Sequence, residues 1–127
     1  MLISRTGLTH SDPARVTQGL TLISPMQGDT VFLVDEAGEK VHEWKTGIGL
    51  TKWAYLRENG TLFVNERSPN PSGVDLTISG LMREYDWDGT LLWEYEDPGQ
   101  HHDARRMADG GTDCTRWLKR LSCERMV

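Results

Sequence analysis

The chain has 127 residues, a length typical of one domain, with 37% hydrophobic and 26% charged residues and a formal net charge of -5. The acidic balance and the lack of a basic patch with interleaved aromatic residues exclude a nucleic-acid-binding protein. No apolar run approaches the ~18 residues of a membrane span, which excludes a membrane partner. The first residues contain no basic segment followed by an apolar core, so the sequence predicts no signal peptide and, by default, a cytoplasmic protein.

Six short stretches have the character of β-strands. Each is rich in β-branched and aromatic residues and is bounded by Gly, Asp, Asn or Pro, and no stretch before residue 110 has a helical period. In chain order they cover residues 21–25, 30–35, 40–44, 60–66, 81–86 and 90–96. The sequence therefore predicts an all-β fold.

The middle of the chain contains an internal repeat. VDEAGEKVHEW aligns with YDWDGTLLWEY, so that Asp35 falls on Asp86 and Gly38 on Gly89. In an Asp-x-x-Gly turn the aspartate caps backbone donors and the glycine adopts a positive φ. The alignment continues at the same offset without a gap and places Gly60 on Gly111.

A four-stranded antiparallel unit that repeats every 40 to 50 residues or so is typical of a β-propeller blade. The sequence predicts a lead-in over residues 1–18 and, over residues 19–112, a partial propeller of about two antiparallel four-stranded blades. A β-sandwich with two similar hairpins is the alternative. Asn59-Gly60 predicts a two-residue hairpin turn. Exposed blade edges are expected to favour self-association.

Residues 113–127 break the pattern, and two explanations fit them. One is a terminal amphipathic helix with Trp117, Leu118 and Leu121 on one face. The preferred one is a frameshift near Gly111, because the codons of Asp-Cys-Thr, read two bases later, encode Leu followed by Tyr or His, as a missing strand would begin.

Three further patterns complete the reading of local structure. Cys114 and Cys123 lack the C-x-x-C spacing of metal and redox sites, and free thiols are favoured over a disulfide. Residues 67–75 predict a disordered surface loop. The turn DWDG lacks the remaining ligands of a calcium loop, and neighbouring residues of the HHD run rarely converge on one ion, so no metal and no cofactor are predicted.

The runs GLTLISPMQGDTVFLVDEAGEKVHEW and GLMREYDWDGTLLWEYEDPGQHHDARRMADGGT, in this order, resemble the arylsulfotransferase (aryl-sulfate sulfotransferase) family. The resemblance covers roughly residues 6–112, and its most specific part is WEYEDPGQHHDARRMADGGT. It implies a six-bladed propeller with an active site at the central channel. It also implies transfer of a sulfuryl group from a phenolic sulfate ester to a phenol acceptor through a sulfated histidine, without a nucleotide sulfate donor.

The family's motif residues carry over only to HHDARR, and its nucleophilic histidine is expected on a later blade. On a regular strand, His101, Asp103 and Arg105 share one face, and His102 and Arg106 share the other. A histidine suits catalysis because imidazole titrates in the useful pH range; the resemblance favours His102 as the catalytic residue at the channel, and the sequence alone leaves His101 as a nearly equal alternative. Arg105 is the candidate substrate-binding residue for the sulfuryl oxygens, and Asp103 is the candidate that orients an imidazole or pairs with Arg105. For both arginines, a salt bridge at the surface or between blades is nevertheless favoured over binding of sulfate.

The residues also allow other functions. Two blades do not close a channel, so the 127-residue chain is expected to be an inactive fragment of such an enzyme. The alternative is a non-catalytic β-propeller module that binds a partner, in which both histidines are replaceable. A degraded gene product without a function is the third reading.

Overall fold

The computed structural model describes residues 7–26, 28–46, 51–69, 80–97 and 99–116; the side chains of residues 51, 52, 101, 115 and 116 lie outside the described part. The described residues form nine β-strands and no helix. The strands are β1 (Thr21–Ile23), β2 (Thr30–Val34), β3 (Lys40–Lys45), β4 (Thr51–Leu56), β5 (Leu62–Arg67), β6 (Gly80–Tyr85), β7 (Leu91–Glu96), β8 (Gln100–Arg106) and β9 (Thr112–Arg116).

The strands form three antiparallel sheets. Sheet 1 has the order β1-β2-β3, sheet 2 is the four-stranded meander β4-β5-β6-β7, and sheet 3 is the pair β8-β9. The all-β prediction is confirmed, and each of the six predicted stretches overlaps a strand. β8 agrees with the strand expected for the motif at residues 101–106, whereas β4 and β9 are further strands that the sequence does not predict.

The repeat is visible in the strand pairing, with one correction to its offset. The β2–β3 hairpin and the β6–β7 hairpin pair in the same way at the offset that aligns Asp35 with Asp86, each with an irregularity at its last pair. The β4–β5 hairpin pairs Ala54 with Val64, and the β8–β9 hairpin pairs Ala104 with Cys114. This second offset is shorter by a single position, so the gapless alignment of Gly60 with Gly111 is wrong, and Gly60 corresponds to Gly110.

Four hairpin turns share one geometry. In the first, Gly38 N donates to Asp35 O and Asp35 N donates to Glu39 O, and Gly38 has a φ of 81°. The same pair of bonds recurs in the turns that end at Thr61, Thr90 and Gly111. This is a three-residue loop whose last residue is left-handed, a position that suits glycine.

Asp35 confirms the predicted capping role, because its Oδ1 accepts bonds from Ala37 N and Glu39 N, each at 2.9 Å. The two-residue turn predicted at Asn59-Gly60 is wrong. A two-residue type I′ turn needs a positive φ at both residues, and of the two only Gly60 has one.

Sheet 2 packs between the other two sheets. Trp44, Val31 and Leu33 of sheet 1 form one buried cluster with Leu62, Val64 and Tyr85 of sheet 2. Phe63 and Met82 of sheet 2 form a second cluster with Ala104 of sheet 3. The inner strand β5 of sheet 2 is therefore buried on both faces, since successive side chains of a strand point to opposite sides.

The lead-in lies against sheet 1. A Cβ at Gly38 would lie 2.7 Å from the Cβ of Leu8 of the lead-in, and directly after the lead-in Gly19 N donates to Glu36 Oε1 at 2.8 Å. A cavity of about 760 Å³ remains between the lead-in and strands β1 and β2. Residues 7–18 of the lead-in thus lie against the sheet that follows them.

The predicted tail begins inside a strand, since β9 covers Thr112–Arg116. Cys114 is disulfide-bonded, which contradicts the expected free thiol. Cys123 and the predicted helix with Trp117, Leu118 and Leu121 lie outside the described residues. Most of the predicted loop over residues 67–75 also lies outside them.

A carboxylate is buried in the contact between sheets 1 and 2. Glu66 is fully buried, and its Oε2 accepts a bond from Arg83 Nη1 at 3.1 Å. Arg83 also donates to Thr46 O at 3.2 Å and to Glu94 Oε2 at 2.6 Å. Burial raises the pKa of Glu66 to about 7, although Arg83 opposes the rise. Ionising this group inside the core therefore costs stability.

We predict that the free energy of unfolding falls as the pH rises from about 5 to 8, because the folded pKa of Glu66 exceeds its ordinary value of 4.5. The contribution is complete below the unfolded pKa and is lost as the pH rises through about 7; the shift corresponds to about 3 kcal/mol. Glu66→Gln should flatten this dependence, and Glu58→Gln, at an exposed turn position, should keep it. Urea unfolding at several pH values measures the effect, and equal pH slopes in wild type and Glu66→Gln would contradict it.

Candidate functional site

β8 carries the predicted motif, and its backbone is irregular at His102. Its pairing with β9 shifts between Gln100 and Ala104, and His102 has a φ of 59°, the only positive value among the described non-glycine residues. A left-handed backbone costs a residue with a Cβ about 1–2 kcal/mol. The alternation expected of a regular strand is therefore interrupted at His102.

The exposure of the motif follows from this irregularity. His102, Asp103 and Arg105 are exposed, Ala104 is buried, and Arg106 is half-buried. Two successive side chains, those of His102 and Asp103, thus both reach solvent. The side chain of His101 lies outside the described part.

Two buried amides hold the irregular segment. Asn65 Nδ2 donates to His102 O at 3.0 Å, and Gln100 Nε2 donates to Asp103 O at 3.1 Å. At its other end, Gln100 Oε1 accepts a bond from Gly80 N at 2.8 Å. Both amide side chains belong to fully buried residues. The carbonyls of His102 and Asp103 are thereby fixed from within the core.

The two adjacent arginines have different roles. Arg106 contacts several groups of the fold. Its Nε lies 3.3 Å from Glu84 Oε2, and its Nη1 donates to Thr112 Oγ1 at 3.2 Å and also to Gly110 O. Its guanidinium carbon lies 4.1 Å from the ring centroid of Trp93. The interpretation of Arg106 as a salt bridge between neighbouring sheets is confirmed. Its donors are therefore committed to the fold.

Glu84 joins three parts of the chain. It accepts bonds from Arg57 Nη1, from Thr61 Oγ1 at 2.6 Å and from Arg106 Nε at 3.3 Å. Burial would raise the pKa of Glu84, but the bonds from Thr61, Arg57 and Arg106 hold it below its usual value. Arg57 also donates to Met107 O at 3.4 Å. A charged network thus ties the β4–β5 turn and β6 to β8.

Arg105 has a different environment. Its guanidinium carbon lies 4.3 Å from the ring centroid of Trp53 and 4.9 Å from that of Tyr55. Among the ion pairs of the described residues, none includes Arg105, and none joins it to Asp103. The donors of Arg105 are therefore available to an anion in front of two aromatic rings.

Trp53 and Tyr55 are site residues that the sequence analysis does not single out. Both lie on β4, and Tyr55 Oη accepts a bond from Arg106 N at 2.7 Å, which sets β4 beside β8. Both rings also pack against the buried cluster shared by sheets 2 and 3. The repeat could have pointed to Tyr55. The offset between the β4–β5 and β8–β9 hairpins is one position shorter than the offset between the other two hairpins, and it places Tyr55 at the position equivalent to Arg105.

This arrangement can bind a planar organic anion. A guanidinium offers paired donors to an oxyanion, and the aromatic faces attract the cation and offer apolar surface to a ring. No group of three or more metal-ligating side chains comes together in the described ranges. Within these ranges no helix is long and apolar enough to cross a membrane.

Comparisons with known proteins add no assignment: no protein-family model, curated protein or solved structure matches the chain.

Glu84→Gln should lower the free energy of unfolding by about 2 kcal/mol, because it weakens charged hydrogen bonds that are shielded from water. Glu43→Gln is the matched control, since the pair of Glu43 with Lys40 is exposed to solvent and its loss should leave the free energy of unfolding nearly unchanged. Urea unfolding of both variants at pH 7 measures the difference. Equal losses in the two variants would contradict the role of Glu84.

Proposed function

We propose that the chain is a sector of a β-propeller in which each antiparallel sheet is one blade. Three observations support this: one sheet is a complete four-stranded meander, equivalent hairpins recur along the chain, and the middle sheet packs between the other two. Stacked four-stranded meanders are the unit of a propeller.

The site would then face the central channel. β4 and β8 are the first strands of successive sheets and lie side by side, joined by the bond from Arg106 N to Tyr55 Oη. The first strand of a propeller blade lines the axis. Arg105, with the two rings beneath it, and the exposed His102 would accordingly project towards the channel.

The proposed activity is the transfer of a sulfuryl group between phenols. An aryl sulfate ester combines an aromatic ring with a monoanionic sulfuryl group, and the uncommitted Arg105 on Trp53 and Tyr55 offers a complement to both parts. This placement of Arg105 is the observation that carries the proposal. In the net reaction the sulfuryl group leaves one phenolic oxygen for another, and a proton passes from the acceptor phenol to the departing phenolate.

His102 would act on that proton. A departing phenolate gains negative charge, and an imidazole can donate a proton to it near neutral pH. Arg105 would bind the sulfuryl oxygens through its fork of donors. Asp103 and His101 stay candidates for orienting and assisting the imidazole.

A non-catalytic module that binds a protein partner is the second candidate, favoured by an exposed apolar surface. Val41 of β3 and Leu92 of β7, which occupy equivalent positions, are 49% and 54% exposed. Trp87 and Leu91 are also exposed. Exposed apolar side chains on the last strands of two sheets suit a protein contact.

We expect the purified chain to bind 4-nitrophenyl sulfate with a Kd of about 1 mM. Arg105→Ala should weaken binding at least about tenfold, because it removes a charge-assisted contact. Arg105→Lys should lie between the two, since it keeps the charge and loses the planar fork. Isothermal titration at low ionic strength, or NMR titration, measures the affinities.

Lys45→Ala is the matched control, because it removes one exposed positive charge away from β8 and should leave the affinity unchanged. 4-Nitrophenol and inorganic sulfate, tested separately, should each bind more weakly than the ester. If the wild-type chain does not bind the ester, or if Arg105→Ala binds it as wild type does, the proposed site is wrong.

A further inference from the structure

We propose that Asn65 and Gln100 are positioning residues that impose the left-handed backbone of His102 and so direct its imidazole outward beside Arg105. The consequence for a bound aryl sulfate rests on the proposed function, whereas the consequence for the backbone of His102 does not. Neither amide belongs to the HHDARR motif, which supplies the candidate site residues of the sequence.

The backbone of His102 needs an external cause. Its φ of 59° lies in the left-handed region, which only a few per cent of non-glycine residues occupy, although histidine, asparagine and aspartate are found there more often than the others. Such conformations persist when the surroundings over-determine them. The candidates for that cause are the groups bonded to the carbonyls of the irregular segment.

Asn65 occupies a position that would otherwise suit an apolar side chain. It lies on β5 two residues after Phe63, so both side chains point to the face of sheet 2 that packs on sheet 3. The residue is fully buried, and its Oδ1 has no hydrogen-bond partner among the described residues. The described bond of its amide is the one from Nδ2 to His102 O at 3.0 Å. An amide is therefore kept in the core for a contact with this one peptide group.

Gln100 fixes the same segment from its other side. Its backbone N donates to Asp97 O at 2.9 Å, and its side chain bridges Gly80 N at 2.8 Å and Asp103 O at 3.1 Å. The carbonyls of two consecutive residues, His102 and Asp103, thus point inward to buried donors. With both carbonyls turned to the core, the strand cannot keep regular alternation.

The geometric result concerns the direction of the imidazole. In a regular strand the side chains of His102 and Asp103 would lie on opposite faces. The left-handed residue places both in solvent, on the strand that carries the uncommitted guanidinium of Arg105. Asn65 and Gln100 are themselves fully buried, so they would affect a ligand only through the position of His102.

The first test reads the backbone of His102 directly. In the wild-type chain, the three-bond HN–Hα coupling and the Cα chemical shift of His102 should report a left-handed residue. Asn65→Leu and Gln100→Met remove the donors at similar volume, and in each variant His102 should lose this signature. Leu62→Ala is the control, because it weakens the opposite face of the same strand and should leave the His102 signature unchanged.

The second test reads the affinity for 4-nitrophenyl sulfate. If the fraction of molecules with a correctly directed His102 falls to about one tenth, the apparent affinity should fall about tenfold in Asn65→Leu and Gln100→Met. Leu62→Ala should bind as wild type does in the folded protein. A wild-type chain that fails to bind the ester would remove the proposed function and leave the backbone test intact.

The positioning role is overturned if His102 keeps its left-handed signature in both variants, or if wild-type His102 is extended. It is also overturned if Leu62→Ala changes His102 as much as Asn65→Leu does, because the effect would then be one of general destabilisation. Should one variant fail to fold, the other variant and the wild-type coupling still decide the question.

Discussion

The burial of β5 on both faces is the constraint on which the rest of the structure depends. Leu62 and Val64 enter the core shared with sheet 1, and Phe63 enters the core shared with sheet 3. Residues 62–66 of this strand are all buried, so the packing of β5 depends on both neighbouring sheets. The middle sheet is therefore stabilised by its contacts with both neighbours, and the contact with sheet 3 fixes where β8 and its motif lie.

That constraint also explains why the polar groups in the core lie close to the candidate site. Buried polar groups need hydrogen-bond partners, and two of those on sheet 2 find a partner on sheet 3. Glu84 finds Arg106 of β8, and Asn65 finds the carbonyl of His102. The bonds that satisfy the core thus act at the same time on residues on either side of the solvent-facing Arg105.

The sequence reveals the periodic features of this fold and misses those that depend on contacts between sheets. Strand composition and the Asp-x-x-Gly turns, as at Asp35, depend on neighbours in the chain and are correctly predicted. β4 is missed because TKWAYL mixes lysine and alanine with its aromatic residues, and packing on two sheets stabilises it. The motif at residues 101–106 is visible, and regular alternation correctly separates Arg105 from Arg106, but it places His102 on the wrong face because Asn65, which bonds to its carbonyl, lies on another sheet. The stacking of Arg105 on Trp53 joins residues that are distant in the chain and has no local signal.

A repeated fold places different chemistry at equivalent positions, and the candidate site illustrates how. Tyr55 and Arg105 occupy the same position in successive hairpins, and their side chains meet because the strands that carry them are neighbours. A ring on one strand and a cation on the next make a binding surface that neither hairpin has alone. The adjacent Arg106, turned inward by the alternation of the strand, finds Glu84 and stabilises the contact between the sheets. The two consecutive arginines therefore have separate roles: Arg106 holds β8 next to sheet 2, and Arg105 lies over the aromatic rings that this contact brings close to it.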